Sequence, residues 1–330
     1  MLIIEAISKA KSIILSTHKS SDGDGLGSEI SMYYALKSLG KNVRFVHSDA
    51  IPTRYHFLIE KIPKEAFCST QDLQSDSVDL ALIFDTHDPK LCSPLYEILT
   101  KQHIPLFFID HHVPTEYPVS PTTKMLIDES ASCTGEIVFG LIKKLQVPLN
   151  PLMASALYAS LIFDTQNFKL IRDHQKPFLM ASELLASGIN YERIQNQMFA
   201  NWNIEKMNYL SYLVTQVKYY HDNTIAIIKI LKTDLERFHL DVEQVSDLVD
   251  LFMQIQTLSM AIVIREDSHQ FHKMSFRSRH SSEALDWARA FDGGGHALSS
   301  GAWVPKTMAE IDLIIKELMT TLTFKKTGTV

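Results

Sequence analysis

Short apolar runs alternate along the first half of the chain with longer stretches whose apolar residues recur every three to four positions. The runs at 12–17 (Ser-Ile-Ile-Leu-Ser-Thr), 43–46, 79–84 and 104–109 predict buried strands. Ile30, Tyr33, Tyr34 and Leu36 predict a helix over 28–39, entered through a Gly-rich turn at Gly23, Gly25 and Gly27. Further helices are predicted at 91–100, 134–145, 150–163 and 173–187. Strands alternating with helices imply a parallel sheet covered on both faces. Gly188 ends one helix, and a polar stretch through Gln195, Asn196, Asn201 and Asn203 follows. The pattern therefore predicts a catalytic domain over 1–190, a linker over 191–205 that lets the domains open and close, and a smaller domain over 206–330. In the last, a helix at 204–219, strands at 225–230, 258–265 and 271–278, and helices at 233–239, 243–256, 283–290 and 307–322 make a second α/β unit.

The chain has 330 residues, ordinary apolar content and a formal net charge of −6. Coating long nucleic acid rests on neutralising phosphates with Lys and Arg, so a mildly acidic protein is poorly suited to it. A short phosphorylated ligand held in a local pocket remains compatible. Cys68, Cys92 and Cys133 are odd in number and match no zinc spacing, which predicts reduced thiols in a cytoplasmic protein. The N-terminus has no basic leader or cleavage site, and no apolar run reaches membrane-spanning length.

The chemistry lies in what ends the apolar runs. The first ends at His18, the next at Asp85, another at Asp110 followed by His111 and His112, and Ala-Ser-Leu-Ile-Phe ends at Asp164. Asp22 and Asp24 flank Gly23 on the first loop. In open parallel sheets, ligands bind outside the carboxyl ends of the strands. A lone Asp there is more often a turn former or helix cap. Five acids and three histidines converging on one edge are different. Two like charges 4 Å apart cost about 4 kcal/mol at an effective dielectric of ~20, so crowded carboxylates either take up protons or hold cations. Carboxylates mixed with imidazoles suit Mn²⁺, and two such ions can polarise a phosphoryl oxygen and ionise a water near neutral pH. A dinucleotide loop is disfavoured, because the glycine spacing is wrong and Asp22 and Asp24 would repel a pyrophosphate.

Near the C-terminus, alternation through Ser275-Phe276-Arg277-Ser278-Arg279 puts Arg277 and Arg279 on one face, where guanidinium forks suit phosphate. Gly293-Gly294-Gly295-His296 is predicted to open a helix whose backbone N–H groups would hold an anion. Such a glycine run also suggests close approach of something to the backbone.

His18-x-x-x-Asp22-Gly-Asp24-Gly-Leu-Gly-Ser28, Asp85, Asp110-His111-His112 and Asp164-Thr165 together resemble the four-motif signature of the DHH phosphoesterases. Gly293–His296 and the preceding arginines resemble that family's associated C-terminal domain. Length and layout are similar to its bacterial nanoRNase class, which combines oligoribonuclease and 3′-phosphoadenosine-5′-phosphate phosphatase activities. The resemblance implies one Mn²⁺ on His18, Asp22 and Asp85 and a second on Asp24, Asp85, His111 and Asp164, with Mg²⁺ or Co²⁺ as alternative ions. It implies that His112 sits by the scissile phosphate and that Asp110 orients a ligand imidazole. Arg277, Arg279, Gly293, Gly294, Gly295 and His296 would grip the rest of the nucleotide. Ser21 replaces a usual Pro and Gln166 a usual Gly. The expected substrates are very short RNA, linear dinucleotides or nucleoside bisphosphates bound in a cleft between the domains. A homodimer through the N-terminal domain is expected, and no membrane partner. The alternatives are an inorganic pyrophosphatase of the same superfamily, against which the Gly-Gly-Gly-His segment argues, and a silent nucleotide sensor.

Overall fold

The computed structural model describes residues 2–74, 77–113, 119–200, 202–245, 248–280 and 283–321, and it divides into two compact units, Met1–Asn201 and Trp202–Val330.

The first unit runs α1 (Leu2–Lys9), β1 (Ser12–Thr17), α2 (Gly23–Ser38), β2 (Asn42–Val46), α3 (His56–Ile59), β3 (Phe67–Cys68), β4 (Leu80–Phe84), α4 (Leu95–Lys101), β5 (Leu106–Asp110), β6 (Thr123–Ile127), α5 (Thr134–Lys144), α6 (Pro151–Asp164), α7 (Lys176–Ala186) and α8 (Tyr191–Phe199). Its six strands lie in the order β3-β2-β1-β4-β5-β6, every pair parallel. Period-2 alternation sends Ile13, Leu15, Leu82 and Ile109 into one core with α2, α5 and α6, and Ile14, Ala81, Ile83 and Phe108 into another with α4. Both faces are thus covered, as the apolar runs imply. From β1 the chain builds outward first to β2 and β3, then returns to add β4 on the other side. The topological switch point, where such sheets open a crevice, falls between β1 and β4.

The second unit runs α9 (Ile204–Gln216), β7 (Lys218–Tyr220), β8 (Ile225–Ile230), α10 (Lys232–Arg237), α11 (Leu248–Phe252), β9 (Met260–Ser268), β10 (Phe271–Ser278), α12 (Glu283–Arg289), β11 (Gly294–Gly295), β12 (Ser299–Val304) and α13 (Met308–Thr321). Its mixed sheet has the order β11-β12-β10-β9-β8-β7, and only β8 and β9 pair in parallel. Phe276, Trp287 and Ile311 centre the core on one face, and Tyr209, Leu248 and Val263 the core on the other.

Three predicted boundaries move. The Gly-rich stretch is not a turn before α2 but its first turns. An added Cβ at Gly27 would lie 2.4 Å from the Ala156 carbonyl oxygen, so the glycines let α2 press against α6. The stretch 191–205 is mostly helix rather than linker, because Ile194 and Met198 of α8 pack into the first unit's core. Gly293–His296 does not open a helix: β11 pairs antiparallel with β12, joined by a turn in which the His296 and Ser299 backbones bond reciprocally. Among the described residues, no helix is long and apolar enough to cross a membrane.

Candidate metal centre

Each residue reaches the carboxyl edge of the first sheet by a distinct local device. His18 follows β1 and Asp85 follows β4, on the two sides of the switch point. Asp85 sits at φ 60°, a left-handed conformation that costs a non-glycine residue about 1–3 kcal/mol and is found where surrounding structure enforces it. Asp22 caps α2, its Oδ1 accepting from the Asp24 and Gly25 backbone N–H groups at 3.0 and 3.2 Å. Gly25 leaves no room for a Cβ, which would lie 2.1 Å from the Thr17 hydroxyl.

Asp24, fully buried in the first turn of α2, takes hydrogen bonds from the Thr134 and Gly135 backbone at the start of α5 and from the Ser160 hydroxyl. The Thr134 hydroxyl donates to Asp85 Oδ1 at 3.0 Å. Asp164 is the last residue of α6, as the helix predicted over 150–163 implies. It arrives at the same edge, with Oδ2 3.3 Å from His111 Nε2.

The donor atoms of His18, Asp22 and Asp85 lie within 4.8 Å of one another, as do those of Asp24, Asp85 and His111. Asp85 is common to both groups. His18 Nε2 is 3.5 Å from Asp85 Oδ2, while His111 Nε2 is 3.7 Å from Asp85 Oδ1, so the two carboxylate oxygens face different groups. Carboxylate oxygens and imidazole nitrogens grouped in this way are donors that could hold divalent metal.

Electrostatics points the same way. Burial, reinforced by Asp24, pushes Asp164 up to about 8, and burial likewise raises Asp24 to about 6. Burial and the Asp24 charge hold Asp85 well above the carboxylate range. Burial drives His111 down to about 3, leaving the neutral imidazole that a metal requires. Asp22 moves oppositely: its hydrogen bond and ion pair with His18 overcome burial and lower it to about 2. Three carboxylates that resist ionisation together lack countercharge, which a bound cation would supply.

Asp110 has a different office from the one expected. It does not bond the imidazole of His111. Its Oδ1 accepts His112 Nδ1 at 2.7 Å together with the backbone N–H groups of His111 and His112, and its Oδ2 meets Nδ1 of His87. These donors outweigh burial and keep it ionised far below the usual range, and in return it holds His112 above the ordinary histidine value. His87, buried beside Thr86, is a site residue that sequence reasoning misses, because one His in a Thr-His-Asp-Pro loop carries no pattern. Arg172 is another: its guanidinium ties the carbonyls of His111 and Glu129, at 2.7 and 2.6 Å, bracing the loop that presents His111.

In the second unit the two arginines part ways. Arg277 lies on the half-open face of β10, its Nε 2.7 Å from Asp250. Arg279 lies beyond the strand and donates to the carbonyls of Met253, Ile255 and Leu258. Through Nε and Nη2 the Arg279 guanidinium braces the turn after α11. The close approach at Gly293 and Gly295 comes from β12 itself: a Cβ would lie 2.2 Å from the Gly301 carbonyl at the first and 2.8 Å from the Ser299 carbonyl at the second. Only Gly294 faces open space.

Residues 12–161 match the family model described as "DHH family, N-terminal domain". The chain is 26% identical over 324 residues to the bifunctional oligoribonuclease and PAP phosphatase NrnA of Bacillus subtilis (strain 168), covering 96% of this chain and 97% of that protein. It is also 26% identical to the cyclic-di-AMP phosphodiesterase GdpP of the same organism, covering 88% of this chain but only 45% of that protein. Among solved structures, an exopolyphosphatase-related protein from Bacteroides fragilis superposes with a TM-score of 0.84 at 23% identity, over 97% of this chain and 94% of that one.

Proposed function

We propose that this chain, whose residues 12–161 match the N-terminal domain of the DHH family, is a two-metal phosphodiesterase that hydrolyses very short RNA and linear dinucleotides to mononucleotides. A second activity, removal of a phosphate from 3′-phosphoadenosine-5′-phosphate, belongs to the same reading. It is supported by the likeness to NrnA over nearly the full length of both chains. The observation that carries the proposal is Asp85, whose two oxygens each face a separate cluster of ligands at the switch point.

On this reading His18, Asp22 and Asp85 hold one Mn²⁺, and Asp24, Asp85, His111 and Asp164 hold the other. Bound there, the ions would polarise the phosphoryl oxygen and lower the pKa of the attacking water. The chain's own residues do the rest. His112, whose protonated form Asp110 favours, is placed to stabilise the phosphoryl charge and give a proton to the leaving ribose oxygen. Asp110 fixes the His112 ring so that Nδ1–H points inward and Nε2 outward. Arg277, Gly294 and His296 are the proposed grip on the remainder of the nucleotide.

The test is direct. Incubated with Mn²⁺ and a linear dinucleotide, the protein releases mononucleotides, and His111→Ala abolishes release. Absence of metal-dependent release from the wild-type chain would overturn the proposal.

A further inference from the structure

Beside the candidate metal centre, at the carboxyl ends of β2 and β3, the first unit has a cavity of about 350 Å³ lined by Phe45, His47, Ile51, His56, Ile59 and Phe67. That volume is at the low end of the ~300–1,000 Å³ of small-molecule sites. Nothing in the four family motifs calls for it.

Three features make it more than a surface groove. The first is a buried ion pair. His47 Nε2 lies 2.7 Å from Oε1 of Glu29, which is wholly buried on α2, and Oε2 of that carboxylate has no hydrogen-bond partner among the described residues. Burial alone would depress His47, but the charge and hydrogen bond of Glu29 outweigh it and hold the ring above its ordinary value. With Nε2 committed to Glu29, Nδ1–H is the ring's remaining donor. A buried pair of this kind is costly as mere scaffolding.

The second feature is an aromatic wall. Phe45 and Phe67 stack at 4.9 Å and 16°, and Phe67 is half-buried, with His47 6.4 Å beyond it. The third is charge at the rim. Asp49 lines the same cavity and accepts from the Ser20 backbone N–H at 2.5 Å, tying the rim to the loop that carries His18 and Asp22. A carboxylate at the rim and another beneath the floor disfavour an anion. They favour a neutral ring with an acceptor for His47 and an amino group for Asp49.

The register sets the distance. Leu15 pairs with Phe45, so continuing the two strands brings His47 level with Thr17, one residue before His18 and one strand spacing, about 4.8 Å, away. A nucleotide phosphate at the metal centre therefore has its own base within reach of this cavity.

We propose that the cavity formed by Phe45, His47, Ile51 and Phe67 is a nucleobase subsite, taking an amino-bearing base such as adenine from the nucleotide whose phosphate occupies the metal centre. The proposal rests on the phosphodiesterase reading for the phosphate. The base recognition is its own claim.

Cys68 provides a reporter, because it lines the cavity and is half-exposed, whereas Cys92 and Cys133 are buried. The rate of Cys68 alkylation by iodoacetamide is followed on the full chain in Mn²⁺, with AMP or with ribose 5-phosphate, and dinucleotide hydrolysis is assayed on the same sample. AMP is expected to slow alkylation several-fold, ribose 5-phosphate to leave it unchanged, and Ile51→Trp, which fills the cavity, to remove the effect of AMP. Phe67→Leu, a milder change, is expected to weaken it. Equal rates with AMP and ribose 5-phosphate in a protein that cleaves dinucleotides would overturn the base subsite and leave the phosphodiesterase reading intact. Protection by AMP that survives Ile51→Trp would also overturn it. Base-specific protection lost in Ile51→Trp, in a protein that cleaves nothing, would support the subsite and overturn the phosphodiesterase.

Discussion

Asp110 Oδ1 lies 2.7 Å from His112 Nδ1 while accepting two backbone N–H groups, so the carboxylate sets both the orientation and the tautomer of that ring. An amide keeps one acceptor oxygen for these three donors, but it turns an N–H toward His87 and removes the negative charge that holds His112 above its ordinary value. Asp110→Asn is therefore expected to lower kcat on a dinucleotide by about 10–100-fold, the usual cost of removing such an orienting partner. KM should change far less. Steady-state kinetics separates the two, and an unchanged kcat would remove Asp110 from the mechanism.

His87 shares Asp110 from the other side. If its role is to steady that carboxylate, His87→Ala lowers kcat within the same ~10–100-fold range and leaves KM nearly alone. His87→Asn, whose amide can still donate a hydrogen bond, should restore part of the loss. A packing role alone would show instead as lost stability with no recovery of kcat in the Asn variant.

The crowded acids give the metal-free protein a distinctive pH response. Asp164, raised to about 8, and Asp24, raised to about 6, bind protons in the folded chain that the unfolded chain has released. Stability then falls as pH rises through those values. His18, held well above its ordinary value by Asp22 and Asp85 against the pull of burial, acts in the same direction. His111, lowered to about 3 by burial, opposes them below its unfolded value of ~6.5 and not above it. The metal-free melting temperature is therefore expected to drop between pH 6.5 and 8. With saturating Mn²⁺ the drop should shrink, because the ion replaces the protons. A melting temperature that is flat over this range without metal would contradict the crowding.

The legible part of this molecule is the part with a period. His18, Asp85 and Asp110 stand out because each closes a short apolar run, and parallel strands deliver such ends to one edge. Asp164 closes an apolar run of another kind, the end of the buried helix predicted over 150–163. The edge strand β6 escapes notice because Thr123-Lys-Met-Leu-Ile alternates weakly, and β12 because Ser299-Ser-Gly-Ala is poor in strand formers. Arg277 and Arg279 look equivalent two residues apart, yet the strand ends between them. His87, Arg172 and Glu29 act through single tertiary contacts that no local pattern announces.

Gln166 has a φ of 47°, in the left-handed region that favours glycine. A side chain in the left-handed region costs roughly 1–2 kcal/mol. Gln166→Gly relieves that cost but adds freedom to the unfolded chain. The expected net gain is about 0.5–1 kcal/mol, read as a higher urea midpoint at constant slope. A lower midpoint would mean that the Gln166 side chain contributes more than its backbone costs.

Arg277 and Arg279 offer the sharpest separation of binding from folding. Removing the Arg279 guanidinium strips a charged donor from the Met253, Ile255 and Leu258 carbonyls, which hold the turn between α11 and β9. Losing such bonds costs about 1–3 kcal/mol, so Arg279→Ala should lower the denaturation midpoint measurably. Arg277 pairs with an Asp250 side chain that is itself one-third exposed, and such pairs contribute at most about 1 kcal/mol. Arg277→Ala should therefore fold with near wild-type stability and raise KM for a dinucleotide about tenfold, the equivalent of one charge-assisted phosphate contact. If both variants lost stability alike and neither changed KM, the open face of β10 would have no part in holding substrate.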